Sequence, residues 1–82
     1  MTAPTDMITA RLFAGLEAQT AERRTQLSFP LTETPTVAAL VERLGLEPGA
    51  TGILLVNGVH AGGDRGLEPG DEVSLFPPLG GG

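Results

Sequence analysis

One stretch of this chain has clear helical periodicity, and the rest must be arranged around it. Val37, Leu40, Val41 and Leu44 keep the i, i+3, i+4, i+7 spacing that puts apolar side chains on one face of a helix. Thr34 is placed to cap it, Pro35 suits the first helical position, and Gly45 suits the left-handed residue that closes a helix. The pattern predicts a helix starting near Thr34–Thr36 and running to Leu44. So short a helix is marginal in water by itself, and its apolar stripe must lie across a sheet. With 82 residues there is room for one such unit.

Strand-like alternation flanks the helix on both sides. Over Met7 to Ala14, Ile8, Ala10, Leu12 and Ala14 fall on one face and Thr9, Arg11 and Phe13 on the other. Gly15 to Arg24 reads as a loop with a helical turn around Leu16–Gln19. Leu27, Phe29 and Leu31 alternate in a second strand, and Pro30, which lacks a ladder donor, places that strand at a sheet edge. Gly52 to Val56 is apolar on both faces, as in an interior strand. Asn57-Gly58 predicts a tight hairpin into Val59–Ala61. Residues 62–66 form a glycine-rich connection, Leu67 returns to the core, and Pro69-Gly70 fits a type II turn. The last strand, Asp71 to Phe76, directs Val73 and Leu75 inward and Phe76 outward. The element order is β-β-α-β-β-β, an α+β domain with a mixed sheet of about five strands on one main helix. The domain is expected to span residues 1–76, with 1–6 a loose lead-in and 77–82 an extended tail.

Conventional active sites find little support. Cysteine is absent, which removes thiolate nucleophiles, zinc fingers and iron–sulfur ligation. The single histidine, His60, has no serine or carboxylate at a triad spacing and reads as an exposed or edge-strand residue. One histidine and scattered carboxylates predict no metal site. The chain has no lysine, so it cannot form a Walker phosphate loop, and Gly58, Gly62, Gly63 and Gly66 do not make a dinucleotide-binding fingerprint. Ten acidic against five basic residues leave a net charge of −5, a poor match for phosphate backbones, so no nucleic-acid partner is expected. The N-terminal stretch lacks signal-peptide features, and the longest aliphatic run, Ile53 to Val56, is too short to span a bilayer. A cytoplasmic domain without a membrane partner is the expectation. A domain this small also has no room for an internal substrate cavity.

The unusual feature is the carboxyl end, Pro77-Pro78-Leu79-Gly80-Gly81-Gly82. Three terminal glycines arise by chance in roughly 0.03% of chains of average composition, which favours a functional reading over a frayed tail. Proline fixes φ and favours an extended backbone, so the tail should leave the domain stiffly before losing its side chains. Its six residues can reach about 20 Å and thread a slot that any β-carbon would block. If the first and last strands lie side by side, Phe13, Phe76 and Leu79 form an apolar patch at the root of this arm.

The element order, Leu67-Glu-Pro-Gly-Asp-Glu-Val73 and the ending from Phe76 to Gly82 together resemble the MoaD/ThiS family of ubiquitin-like sulfur carriers. The resemblance runs from Met7 to Gly82 and is most specific in the last sixteen residues. It implies a β-grasp fold and a reactive terminus: the Gly82 carboxylate is adenylated, then converted to a thiocarboxylate. It also implies Gly80 and Gly81 as the channel-threading segment, with Phe13, Phe76, Pro77, Pro78 and Leu79 at the partner interface. No cofactor is bound, and ATP and magnesium are used by an activating partner, an adenylyltransferase resembling ubiquitin-activating enzymes. The Phe-Pro-Pro stretch is more similar to the small subunit of molybdopterin synthase than to the thiamine-pathway carrier. That implies a large synthase subunit, or another sulfur-accepting enzyme, as the second partner. The chain departs from the common small-subunit pattern in Gly80 and in having no lysine, so a contact made through a carrier lysine is not available. A ubiquitin-like modifier joined through Gly82 to lysines of other proteins, a thiamine-pathway carrier and an inert interaction module remain alternatives. All the readings in which Gly82 reacts require it to be the native carboxyl terminus.

Overall fold

The computed structural model describes residues 6–47 and 49–78. Its strands are β1 (Met7–Leu12), β2 (Gln26–Pro30), β3 (Ile53–Val56), β4 (Val59–His60) and β5 (Glu72–Phe76), and its helix is α1 (Val37–Arg43). A 3-10 turn, Leu16–Gln19, follows β1 at the place expected for a helical turn. The strands form one sheet in the order β2-β1-β5-β3-β4. Its central pair, β1 and β5, is parallel, while the β1–β2, β5–β3 and β3–β4 pairs are antiparallel.

The core lies between one sheet face and the helix. Ile8, Ala10 and Leu12 of β1, Val73 and Leu75 of β5, and Leu27 and Phe29 of β2 are buried there. Val37, Leu40 and Leu44 fill it from the other side, as the helical spacing predicts, and Leu16 and Leu67 close its ends. β2 is an edge strand, and Pro30 stands at its last position, where a missing N–H costs least. β3 is interior, paired with β5 on one side and the two-residue β4 on the other.

The turns follow their residue chemistry. Asn57 and Gly58 both have positive φ, 53° and 85°, as a two-residue hairpin of the primed type needs. At Pro69-Gly70 the turn is closed by the Asp71 N–H donating to the Glu68 carbonyl at 3.0 Å, with Gly70 at φ 87°. Gly45, at φ 78°, ends α1: its N–H donates to the Glu42 carbonyl and that of Leu46 to the Val41 carbonyl, a Schellman closure.

Several boundaries differ from the sequence expectation: β3 begins at Ile53 rather than Gly52, β4 ends at His60 rather than Ala61, and α1 ends at Arg43 with Leu44 as its C-cap. Thr36, not Thr34, caps α1: its backbone is extended and its Oγ1 accepts from the Ala39 N–H at 3.1 Å. Residues 35 and 36 are drawn away from the helix because Thr36 bridges Gly66 and the Pro35 carbonyl accepts from the Leu67 N–H. Thr34 is buried, donating its hydroxyl to the Pro30 carbonyl at 3.2 Å. β1 stops at Leu12 because Ala14 and Gly15 turn left-handed, at φ 57° and 86°. β2 runs one residue earlier than the Leu27–Leu31 pattern, ending at Pro30. β5 begins at Glu72 because Asp71 serves the turn: its carboxylate accepts from the Glu68 N–H and from Asn57 Nδ2.

Leu40 is fully buried at the centre of the helical stripe. Leu40→Ala is expected to cost about 2–4 kcal/mol, read as a lower midpoint with an unchanged slope in urea unfolding.

Candidate functional site

The parallel register sets Leu12 against Leu75, and the next pair along the two strands is Phe13 and Phe76. The Phe13 N–H donates to the Leu75 carbonyl at 3.0 Å, carrying the ladder one residue past the end of β1. Both rings therefore project from the sheet face opposite the helix. They stack with centroids 4.6 Å apart and planes 10° from parallel. The left-handed turn at Ala14-Gly15 then reverses the chain, so Leu16 drops into the core while Phe13 stays outside, 37% exposed. The juxtaposition of Phe13 and Phe76 expected from strand parity is thus present. Leu79, the third member of the expected patch, lies outside the described residues.

A further apolar residue joins the pair from β3. Ile53 is registered against Phe76, which extends the row to Phe13–Phe76–Ile53 across three neighbouring strands. In the adjoining row Leu55 stands opposite Ser74. Sequence reasoning left these β3 residues out of the patch, although the strand being apolar on both faces was the signal: one face meets the core and the other continues the patch. An ion pair from Arg11 Nε to Glu72 Oε2, at 2.6 Å, flanks the rows on the same face. Beside Phe13 an open depression of about 420 Å³ is lined by Phe13, Gly15, Glu17 and Gln26, among others. One Glu17 carboxylate oxygen is shielded there with no hydrogen-bond partner among the described residues.

The root of the tail adjoins this row. The Phe76 carbonyl accepts from the Gly52 N–H at 2.7 Å, and Pro77 and Pro78 follow, half-buried and exposed respectively. Neither proline has an N–H, so neither can donate another ladder bond. Gly80, Gly81 and Gly82 lie outside the described residues. His60 stands on the edge strand β4, exposed and opposite Leu55. Among the described residues no group of three histidine, aspartate or glutamate side chains could hold a metal ion, and no helix is long and apolar enough to cross a membrane. The described residues thus bring together an aromatic row, a flanking ion pair and two prolines directly after the last strand.

Known proteins give this arrangement a context. The ThiS family model matches residues 11–82, nearly the whole chain. Among solved structures, SAMP1 from Haloferax volcanii is 28% identical, with a TM-score of 0.69 over 93% of this chain and 99% of that one. Urm1 from Trypanosoma brucei is 25% identical, with a TM-score of 0.71 over 99% of this chain and 100% of its own. A second structure from H. volcanii, of small archaeal modifier protein 1, is 24% identical with a TM-score of 0.66 over 89% of this chain and 98% of that one, a likeness of fold. Among curated proteins, none matches the chain. The five-strand sheet on one helix is accordingly a β-grasp, ubiquitin-like fold, and the chain belongs to the ThiS family of ubiquitin-like sulfur carriers and modifiers.

Proposed function

We propose that this protein is a sulfur carrier whose reactive group is the carboxylate of Gly82, and that it acts as the small subunit of molybdopterin synthase. The observation that carries this reading is the stacked Phe13–Phe76 pair at the root of the Pro77-Pro78 exit, which couples a docking face to a tail rather than to a cavity. The Phe-Pro-Pro ending favours the synthase small subunit over the thiamine-pathway carrier.

The chemistry follows from the weakness of a carboxylate as an electrophile. Its negative charge repels nucleophiles, and oxide is a poor leaving group. Attack of the Gly82 carboxylate on the α-phosphorus of ATP expels pyrophosphate and leaves a mixed anhydride with AMP. Sulfide-level sulfur, as hydrosulfide, then attacks the acyl carbon. The C–S bond forms as the C–O bond to AMP breaks, AMP leaves with that electron pair, and loss of the S–H proton gives C(=O)S⁻. ATP, magnesium and charge stabilisation belong to the activating adenylyltransferase, whose in-line displacement depends on positioned cations. The terminus then enters the large synthase subunit and gives its sulfur to a pterin precursor.

Energetics divide the interface into two parts. Ordering three glycines costs on the order of 3–6 kcal/mol, which backbone hydrogen bonds in the partner's channel and burial of the Phe13/Phe76/Ile53 row must offset. The net charge of −5 and the Glu17 carboxylate beside Phe13 suit a basic partner groove and act mainly on association rate.

Incubated with the ubiquitin-activating-enzyme-like adenylyltransferase of the same genome, ATP and a sulfur donor, the protein should gain the mass difference of sulfur for oxygen at Gly82. An unchanged mass overturns the reading. Adducts on lysines of other proteins that resist thiol reductants point instead to a protein modifier. Gly81→Val should leave the melting temperature unchanged and stop sulfur delivery, because a β-carbon blocks the channel. Phe76→Arg should weaken partner binding by about 1–3 kcal/mol in calorimetric titration while the domain stays folded.

A further inference from the structure

The tail root is held by more than the end of a strand. Past Phe76 the ladder loses its donors, since Pro77 and Pro78 have no N–H. Two prolines restrict φ but do not choose the direction in which the pair leaves the sheet. That direction depends on what the prolines rest against, and the surface they meet is Gly52, the residue before β3.

Gly52 is a glycine for reasons of space. Its φ is outside the left-handed range, so the backbone there does not require glycine. A β-carbon at this position would lie 2.6 Å from Pro78 Cα, 3.0 Å from Pro78 N and 3.1 Å from the Pro77 carbonyl oxygen. All three are backbone atoms and cannot swing aside as a flexible side chain can. None of the other described glycines has backbone of another segment this close to its β-carbon position. The same residue donates its N–H to the Phe76 carbonyl at 2.7 Å, so one peptide both ends the β5 ladder and supports the prolines beyond it.

We propose that Gly52 is a positioning residue: it forms a flat seat for the Pro77–Pro78 backbone and thereby sets the line along which the terminal glycines leave the domain. This rests on the reading of Gly82 as the reactive terminus. Docking through Phe13 and Phe76 fixes the globule on its partner, and the seat fixes where the arm points relative to that docked face. A β-carbon at position 52 lifts the prolines off the sheet while leaving the aromatic row in place, so binding survives and delivery of the carboxylate fails. Misplacement of a reacting group by about an ångström can cost up to about a hundredfold in rate.

The test compares Gly52→Ala with Gly66→Ala, a glycine of ordinary φ whose β-carbon position is open. Activation is followed as ATP–pyrophosphate exchange with the same adenylyltransferase, and geometry as the nuclear Overhauser contact between the Gly52 and Pro78 α-protons. Wild-type protein should show both the contact and exchange, and Gly66→Ala should match it. Gly52→Ala should lose at least about tenfold in kcat with KM for the carrier within about threefold, and its Pro78 resonances should shift. Should Gly52→Ala fail to fold, replacing both Pro77 and Pro78 with glycine frees the same root from the other side and should give the same loss in kcat. Undiminished kcat in a folded Gly52→Ala protein, or no contact in the wild type, overturns the seat. Absence of exchange with the wild type counts against Gly82 activation instead, and the proton contact then still decides whether the seat exists.

Discussion

The parallel pairing of β1 with β5 is the constraint on which the rest of this molecule depends. It joins the first strand to the last across the middle of the sheet, so the strand that ends in the tail is also the most enclosed. The pairing has two consequences on its two faces. Inward, it sets Ala10 beside Val73 and Leu12 beside Leu75, forming the layer on which α1 packs. Outward, one residue later, it sets Phe13 beside Phe76. A slip of β5 by one residue would turn Val73 and Leu75 outward and Phe76 inward, breaking the inner layer and the outer row together. The buried layer and the outer aromatic row are therefore specified by the same register.

Much of this was legible in the residues because it depends on local chemistry. The helical stripe of Val37, Leu40 and Leu44, the Asn57-Gly58 hairpin, the Pro69-Gly70 turn and the edge position of Pro30 each follow from one side chain or one backbone restriction. Strand parity placed Phe13 and Phe76 on the outer face, and the structure brings them into contact. What parity does not carry is the identity of neighbours. Ile53 joins the aromatic row because β3 pairs with β5 on the side away from β1, which no short-range pattern in β3 reveals. The cap of α1 differs from the expected Thr34 for a related reason: a threonine at either position can cap a helix, and the long-range bridge from Thr36 to Gly66 decides between them. The local pattern marks Gly52 only as the first residue of a strand, because the need for an empty β-carbon position arises from Pro78, twenty-six residues away in sequence.

These features divide the labour between globule and tail. The described domain brings together an aromatic row, an exposed ion pair and two prolines that follow the last strand. Such a molecule suits recognition: the domain is grasped and its end is handed over. In the proposed reading the carrier contributes an activated terminus held at a fixed offset from its docking face, and the enzymes it visits contribute the electrostatics of bond breaking. The terminal glycines fit this arrangement because the narrowest backbone passes through the narrowest channel.

The most direct measurement uses protein semisynthesised with a carboxamide in place of the Gly82 carboxylate, leaving every side chain unchanged. Compared with the natural chain in ATP–pyrophosphate exchange, the account predicts undiminished binding to the adenylyltransferase and complete loss of exchange for the amide. Exchange by the amide at the rate of the natural protein would contradict it, because the activated atom would then lie elsewhere in the chain.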